Sequence, residues 1–197
     1  MRNGGPKKGF RKKQKSSVLR TALPGTRNKK EDVARMIRVD HAGEFGAQRI
    51  YAGQLAILGK SSAAPTIRHM ARQEDEHLAA FEKLMVENGV RPTVLYPLWH
   101  IAGYVLGAAT AALGEKAAMA CTVAVEEVID EHYARQLSAL ASDDAKLSKL
   151  IMRFRADENE HKKIGLKHGA EDLPYYAMLR SLIRAGSKTA IWLSERV

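Results

Sequence analysis

Apolar residues recur along this chain at helical spacing, and no alternating pattern of a strand competes with them. From Glu31 to Gly59 the positions Val33, Ile37, Ile50, Leu55 and Leu58, with good helix formers between, predict a first long helix that Gly59 and Ser61-Ser62 end. Pro65 suits the first turn of a second helix, which Asn88-Gly89 closes before Arg91-Pro92 breaks the chain. Glu115 to about Ser142 reads as a fourth helix. Asp143 to His168 reads as a fifth, ended by His168-Gly169, and Leu173 to Glu195 as a sixth with Pro174 in its first turn. The predicted class is all-α.

The third segment, PTVLYPLWHIAGYVLGAATAALG between Arg91 and Glu115, carries no charge and has enough residues to cross a bilayer as a helix. Pro97, His100, Gly103, Gly107 and Thr110 leave it only weakly hydrophobic, so it is not read as a span. Trp99, Tyr96 and Tyr104 are the aromatics favoured at a membrane surface. Two readings stay open: a buried core helix, and an interfacial helix that both packs and dips into lipid.

The pattern then repeats. EFGAQRIYAGQL from Glu44 to Leu55 aligns with EEVIDEHYARQL from Glu126 to Leu137, sharing the glutamates, the tyrosines Tyr51 and Tyr133, and Ala, Gln and Leu after them. Glu-x-x-His follows in each half, as Glu74 with His77 and as Glu158 with His161; Glu44 to Glu74 spans 30 residues and Glu126 to Glu158 spans 32. On a helix, positions three apart share a face, so each pair can grip one object. If the halves pack antiparallel, Glu44, Glu74, His77, Glu126, Glu158 and His161 converge. A Glu from each of two helices and Glu-x-x-His from each of two others form the ligand set of ferritin-like di-iron or di-manganese bundles.

Charge decides whether such a convergence is tolerable. Four buried carboxylates repel and each costs several kcal/mol to desolvate. Two divalent cations cancel their charge. Hard carboxylates and two imidazoles suit iron or manganese, and ferrous iron activates dioxygen. One Glu-x-x-His is ordinarily a solvated helix face; two, each preceded by a mid-helix Glu at matching distance, are not.

Neighbouring groups take lesser roles. Asp157, one turn before His161, is expected to orient that imidazole, with Gln73 in the matching place before His77. Asp40, one turn before Glu44, is a second candidate supporting group. Tyr51 and Tyr133 lie two turns beyond their glutamates and share the inward face, where a hydroxyl can handle protons or radicals. His132 reads as a packed polar residue. Glu76, Glu160 and Glu127 read as solvated or supporting groups.

Composition changes the picture in one place. The 197 residues suit one domain, and the net charge of +10 is concentrated at the start. Residues 1–30 hold 11 of the 32 Lys and Arg and no acid, leaving 21 basic residues to face 22 acidic ones in the near-neutral body. The chain thus divides into a basic, mobile leader, 1–30, and a helical domain, 31–197. The leader reads as a solvated tail, with attraction to an anionic membrane or mitochondrial targeting as functional alternatives. Nucleic-acid binding is not expected, since Phe10 is its only aromatic. The lone Cys121 excludes an internal disulfide and cysteine-rich metal sites.

RVDHAGEFGAQRIYAGQ, QEDEH, GEKAAMACTVAVEEVIDEHYARQ, ADENEHKKIGLKHGAE and the closing AIWLSERV together resemble the demethoxyubiquinone hydroxylase family of ubiquinone biosynthesis. The resemblance covers about Val33 to Val197. It implies a carboxylate-bridged di-iron monooxygenase that hydroxylates the ring of a demethoxyubiquinol with dioxygen, taking electrons from NADH or the quinol. It implies all six convergent residues as iron ligands. It further implies a peripheral place at an inner membrane, on a bacterial cytoplasmic or mitochondrial matrix face, among other ubiquinone-biosynthesis proteins and, in mitochondria, a lipid-binding accessory protein. Homo-oligomerisation is left open. An isoprenoid-tailed quinone explains the uncharged third helix and an apolar sixth one, so Leu95, Trp99, Ile101 and Trp192 are expected to line a greasy entrance. The competing readings are iron storage or peroxide detoxification, a ferritin-like tRNA hydroxylase, and a membrane-associated scaffold without metal.

Overall fold

The computed structural model describes residues 1, 29–140 and 144–197. Among them are six long helices: α1 (Lys29–Leu58), α2 (Ala64–Asn88), α3 (Tyr96–Ala112), α4 (Glu115–Leu140), α5 (Ala145–Lys167) and α6 (Tyr176–Ser194). The architecture is a helical bundle of the ferritin-like kind, with hairpins α1–α2 and α4–α5 at its centre and α3 and α6 added outside. Most of the basic leader lies outside the described residues; Lys29 and Lys30, assigned to it by sequence, open α1.

The local signals act where the chain places them. Gly89 takes a left-handed φ of 62°, and the Val90 amide returns to the Met85 carbonyl to close α2. The Asp144 carboxylate accepts from the Leu147 amide at 2.9 Å and caps α5. The sixth helix departs from expectation, starting at Tyr176 rather than Leu173. A 3₁₀ turn over Ala170–Asp172 leads into an extended Leu173 (ψ 124°), because the ring of Pro174 disfavours helical geometry in the residue before it. Pro174 therefore stands before the helix, while Leu173 is buried in the core.

Two apolar clusters bracket one polar layer. At one end Tyr51, Ile67, Met70, Met119 and Val123 pack together; at the other, Ile37, Phe81, Tyr133, Ile151 and Phe154 do. Each central helix crosses from one cluster to the other, and its Glu or Glu-x-x-His falls between: Glu44 between Ile37 and Tyr51, Glu74 and His77 between Met70 and Phe81. Residues Ala117 to Ala124 of α4 are buried all round, which makes it the axial helix.

α3 lies closely on α1. A Cβ added to Gly107 would come within 1.9 Å of the Ile50 carbonyl oxygen, and one on Gly53 within 2.1 Å of the Tyr104 carbonyl oxygen. α6 instead packs on α4, where Arg184 bridges Glu127 and Glu131 at 2.7 and 2.6 Å. Among the described residues no helix is long and apolar enough to cross a membrane.

Candidate metal centre

α1 supplies Glu44, α2 Glu74 and His77, α4 Glu126, and α5 Glu158 and His161, all at most 3% exposed. Their ligand atoms form two overlapping groups, each within 4.8 Å: Glu44, Glu74, His77 and Glu158; and Glu74, Glu126, Glu158 and His161. Glu74 and Glu158 belong to both. Glu44 and Glu126 each belong to one group, so a pair of ions held here would share Glu74 and Glu158.

Both imidazoles face inward through Nδ1. His77 Nδ1 lies 3.0 Å from Glu158 Oε1 and 3.5 Å from Glu44 Oε2; His161 Nδ1 lies 3.1 Å from Glu158 Oε2 and 3.2 Å from Glu74 Oε1. Burial opposes a charge on His77, yet the Glu158 and Glu44 carboxylates outweigh it and hold its pKa up at about 11. Burial likewise opposes ionisation of Glu158, but the two imidazoles hold it down at about 2. Glu74 and Glu126 are pushed well above the usual carboxylate range, by desolvation first and then by the charge of Glu158.

These groups fit metal ions. Both Glu74 oxygens, His77 Nδ1 and Glu158 Oε1 are buried without a well-aligned hydrogen-bond partner, although such atoms are rarely left so. Cations placed among them satisfy all four at once and remove the need for protons on Glu74 and Glu126. Six oxygen and imidazole donors with no thiolate select iron or manganese chemistry over soft-metal chemistry.

The supporting contacts run between the halves. The Tyr51 hydroxyl donates to Glu126 Oε1 at 3.1 Å, and the Tyr133 hydroxyl donates to Glu44. Asp157 does not orient His161, as its place one turn before that residue suggests; its Oδ2 lies 3.2 Å from His77 Nε2. His161 Nε2 instead meets Gln73 Oε1 at 3.1 Å. The reason is directional: each histidine points inward and turns its outer nitrogen to the opposite hairpin, beyond reach of its own helix. Asp40 is buried but accepts from His132 at 3.0 Å and Gln136 at 2.6 Å rather than supporting Glu44. Sequence reasoning passed over Gln136, whose spacing of four from His132 was the available signal.

Beside the acidic layer, α1, α3, α4 and α6 enclose an apolar groove of about 520 Å³. Gly43, Ala47, Val125 and Ile129 line it next to the Glu44 and Glu126 positions. Of the four residues expected at an entrance, Trp99 lines the groove, its indole donating to Ser194 Oγ at 3.1 Å. Leu95 is half-buried outside it, and Ile101 and Trp192 are exposed on the outer faces of α3 and α6. The groove walls are the helix faces turned toward one another, and those three residues point elsewhere.

The family model for ubiquinone biosynthesis protein COQ7 matches residues 31–194. This chain is a COQ7-family protein. It is 53% identical over 176 residues to a 3-demethoxyubiquinol 3-hydroxylase of Rhodospirillum rubrum, covering 89% of this chain and 83% of the relative. It is 56% identical over 169 residues to an NADPH-dependent 3-demethoxyubiquinone 3-hydroxylase, mitochondrial, of Homo sapiens, covering 84% and 78%. A Saccharomyces cerevisiae 5-demethoxyubiquinone hydroxylase is 39% identical over 180 residues, covering 83% and 77%. In this COQ7-family chain the matched residues include all six convergent side chains and the whole of α3 and α6 beside the groove.

Proposed function

We propose that this protein hydroxylates the ring of a demethoxyubiquinol, with Glu44, Glu74, His77, Glu126, Glu158 and His161 holding two iron ions. The carrying observation is the pair of overlapping, fully buried ligand groups one helix wall away from an apolar groove. Iron bound there supplies the activation of dioxygen that ring hydroxylation requires. The reaction balances as one oxygen atom inserted into a ring C–H bond and one leaving as water, with two electrons and two protons taken from the quinol, or as a hydride from a nicotinamide plus one proton from solvent.

The chain's own residues hold, orient and exclude. Tyr133 and Tyr51 fix the terminal carboxylates Glu44 and Glu126 by hydrogen bonds. Burial, and the carboxylates around them, raise both phenols well above their usual pKa, so they stay protonated and keep donating to the two carboxylates rather than releasing a proton. The groove keeps water from the reacting ring and takes an isoprenoid tail, since its walls are almost wholly apolar. Leu98, Ile101 and Val105 on α3 and Met178 and Leu182 on α6 expose apolar surface, which supports docking at an inner-membrane surface where such a substrate dissolves. A lipid-binding accessory protein is a fitting partner for the same surface. Iron storage is disfavoured by the groove, which a storage protein does not need.

The test is anaerobic loading of the full chain with ferrous iron, addition of a demethoxyquinol and oxygen, and mass spectrometry of the quinone. The expected product gains one oxygen on the ring, and Glu44→Ala and His161→Ala abolish it. An unmodified quinone from iron-loaded, reduced wild-type protein overturns the assignment.

A further inference from the structure

The two groups have the same make-up, one histidine, one private glutamate and the shared Glu74 and Glu158, and they differ in what stands behind the histidines. His77 has its outer nitrogen against the carboxylate of Asp157, whereas His161 has its outer nitrogen against the amide oxygen of Gln73. Both imidazoles present Nδ1 to the acidic layer, so both carry hydrogen on Nε2 when Nδ1 ligates a metal. A full negative charge accepting that hydrogen makes the imidazole a stronger donor than a neutral amide does. The other neighbours do not offset the difference: each group has one private glutamate, each of those accepts from one tyrosine, and Glu74 and Glu158 are common to both.

We infer that Asp157 and Gln73 are positioning residues that make the two metal positions unequal, the one built on Glu44 and His77 binding its ion more tightly than the one built on Glu126 and His161. The inference rests on the di-metal reading above. Among the described residues Asp157 reaches the site through His77, and because its side chain is 35% exposed it can be replaced without opening the core. The inequality is written across the helices, in residues that occupy equivalent places in the two Glu-x-x-His segments and differ in charge as well as in length.

The experiment titrates the full-length protein anaerobically with ferrous iron against a chromogenic chelator, and records Mössbauer spectra at one and two irons per chain. Wild type is expected to load in two resolved steps with two distinct ferrous environments, the first filled before the second. Asp157→Asn, which keeps shape and an acceptor, should weaken the first step by about 10–100-fold and leave the second in place. Gln73→Glu should tighten the second step, and Asp157→Glu should keep the wild-type order. A thermal melt of the metal-free variants checks that folding is intact. The inference is overturned if Asp157→Asn leaves both steps unchanged, weakens both equally, or weakens only the second. Failure of wild type to bind ferrous iron in any step instead defeats the di-metal reading itself.

Discussion

The Tyr133 hydroxyl donates to Glu44, so a phenol on α4 holds a carboxylate on α1 across the buried layer. Tyr51 returns the contact from α1 to Glu126 on α4. Tyr133→Phe keeps the ring in its apolar cluster and removes only the donor. Urea unfolding of the metal-free protein is expected to show a loss of about 1–3 kcal/mol, the cost of leaving a buried acceptor without its partner. Iron content should persist while turnover falls. An unchanged midpoint counts against the contact.

The metal-free protein should be most stable in weakly acidic solution. His77 rises from 6.5 to about 11 on folding, so its contribution is complete below 6.5 and is lost as pH climbs toward 11. Glu74 and Glu126 also bind protons more tightly when folded, which costs stability as pH rises above 4.5. Glu158 works the other way: its contribution is present above 4.5 and is lost as pH falls toward about 2. Melting temperature should therefore fall from pH 6.5 to pH 9. Saturating ferrous iron should remove that fall, because the metal replaces the protons, and binding should release protons and tighten with pH. A flat apo profile over this range refutes the account.

Glycine substitutions separate a packed crossing from an open wall. Gly107→Ala drives a methyl into the Ile50 backbone, which cannot yield without α3 leaving α1. A loss of about 3 kcal/mol or more is expected in denaturant unfolding. Gly186→Ala meets nothing within 4 Å and should be neutral or stabilise by about 0.5–1 kcal/mol through helix propensity.

Gly186 also lines the groove, so a larger side chain there fills space without touching the acidic layer. Gly186→Phe should bind iron as wild type does and keep its fold, yet raise KM for a long-tailed demethoxyquinol by about tenfold or more, the equivalent of about 1.4 kcal/mol. Steady-state kinetics with equal KM for both proteins would show that the substrate sits elsewhere.

The amino-acid sequence determined the helices and the six converging residues, because a helix fixes which positions share a face within three or four residues. Gly89 and Pro65 mark helix ends by backbone rules that need no other part of the chain. α6 starts three residues later than a helix-opening Pro174 predicts, because the effect of that proline on Leu173 is the stronger influence. Tertiary structure alone decided that Asp157 serves His77 and Gln73 serves His161, that Asp40 pairs with His132, and that Trp99 faces a groove while Ile101 and Trp192 do not. These depend on how far one helix slides and turns against another, a quantity set by packing over the whole bundle, down to the two glycines that let α3 rest on the backbone of α1.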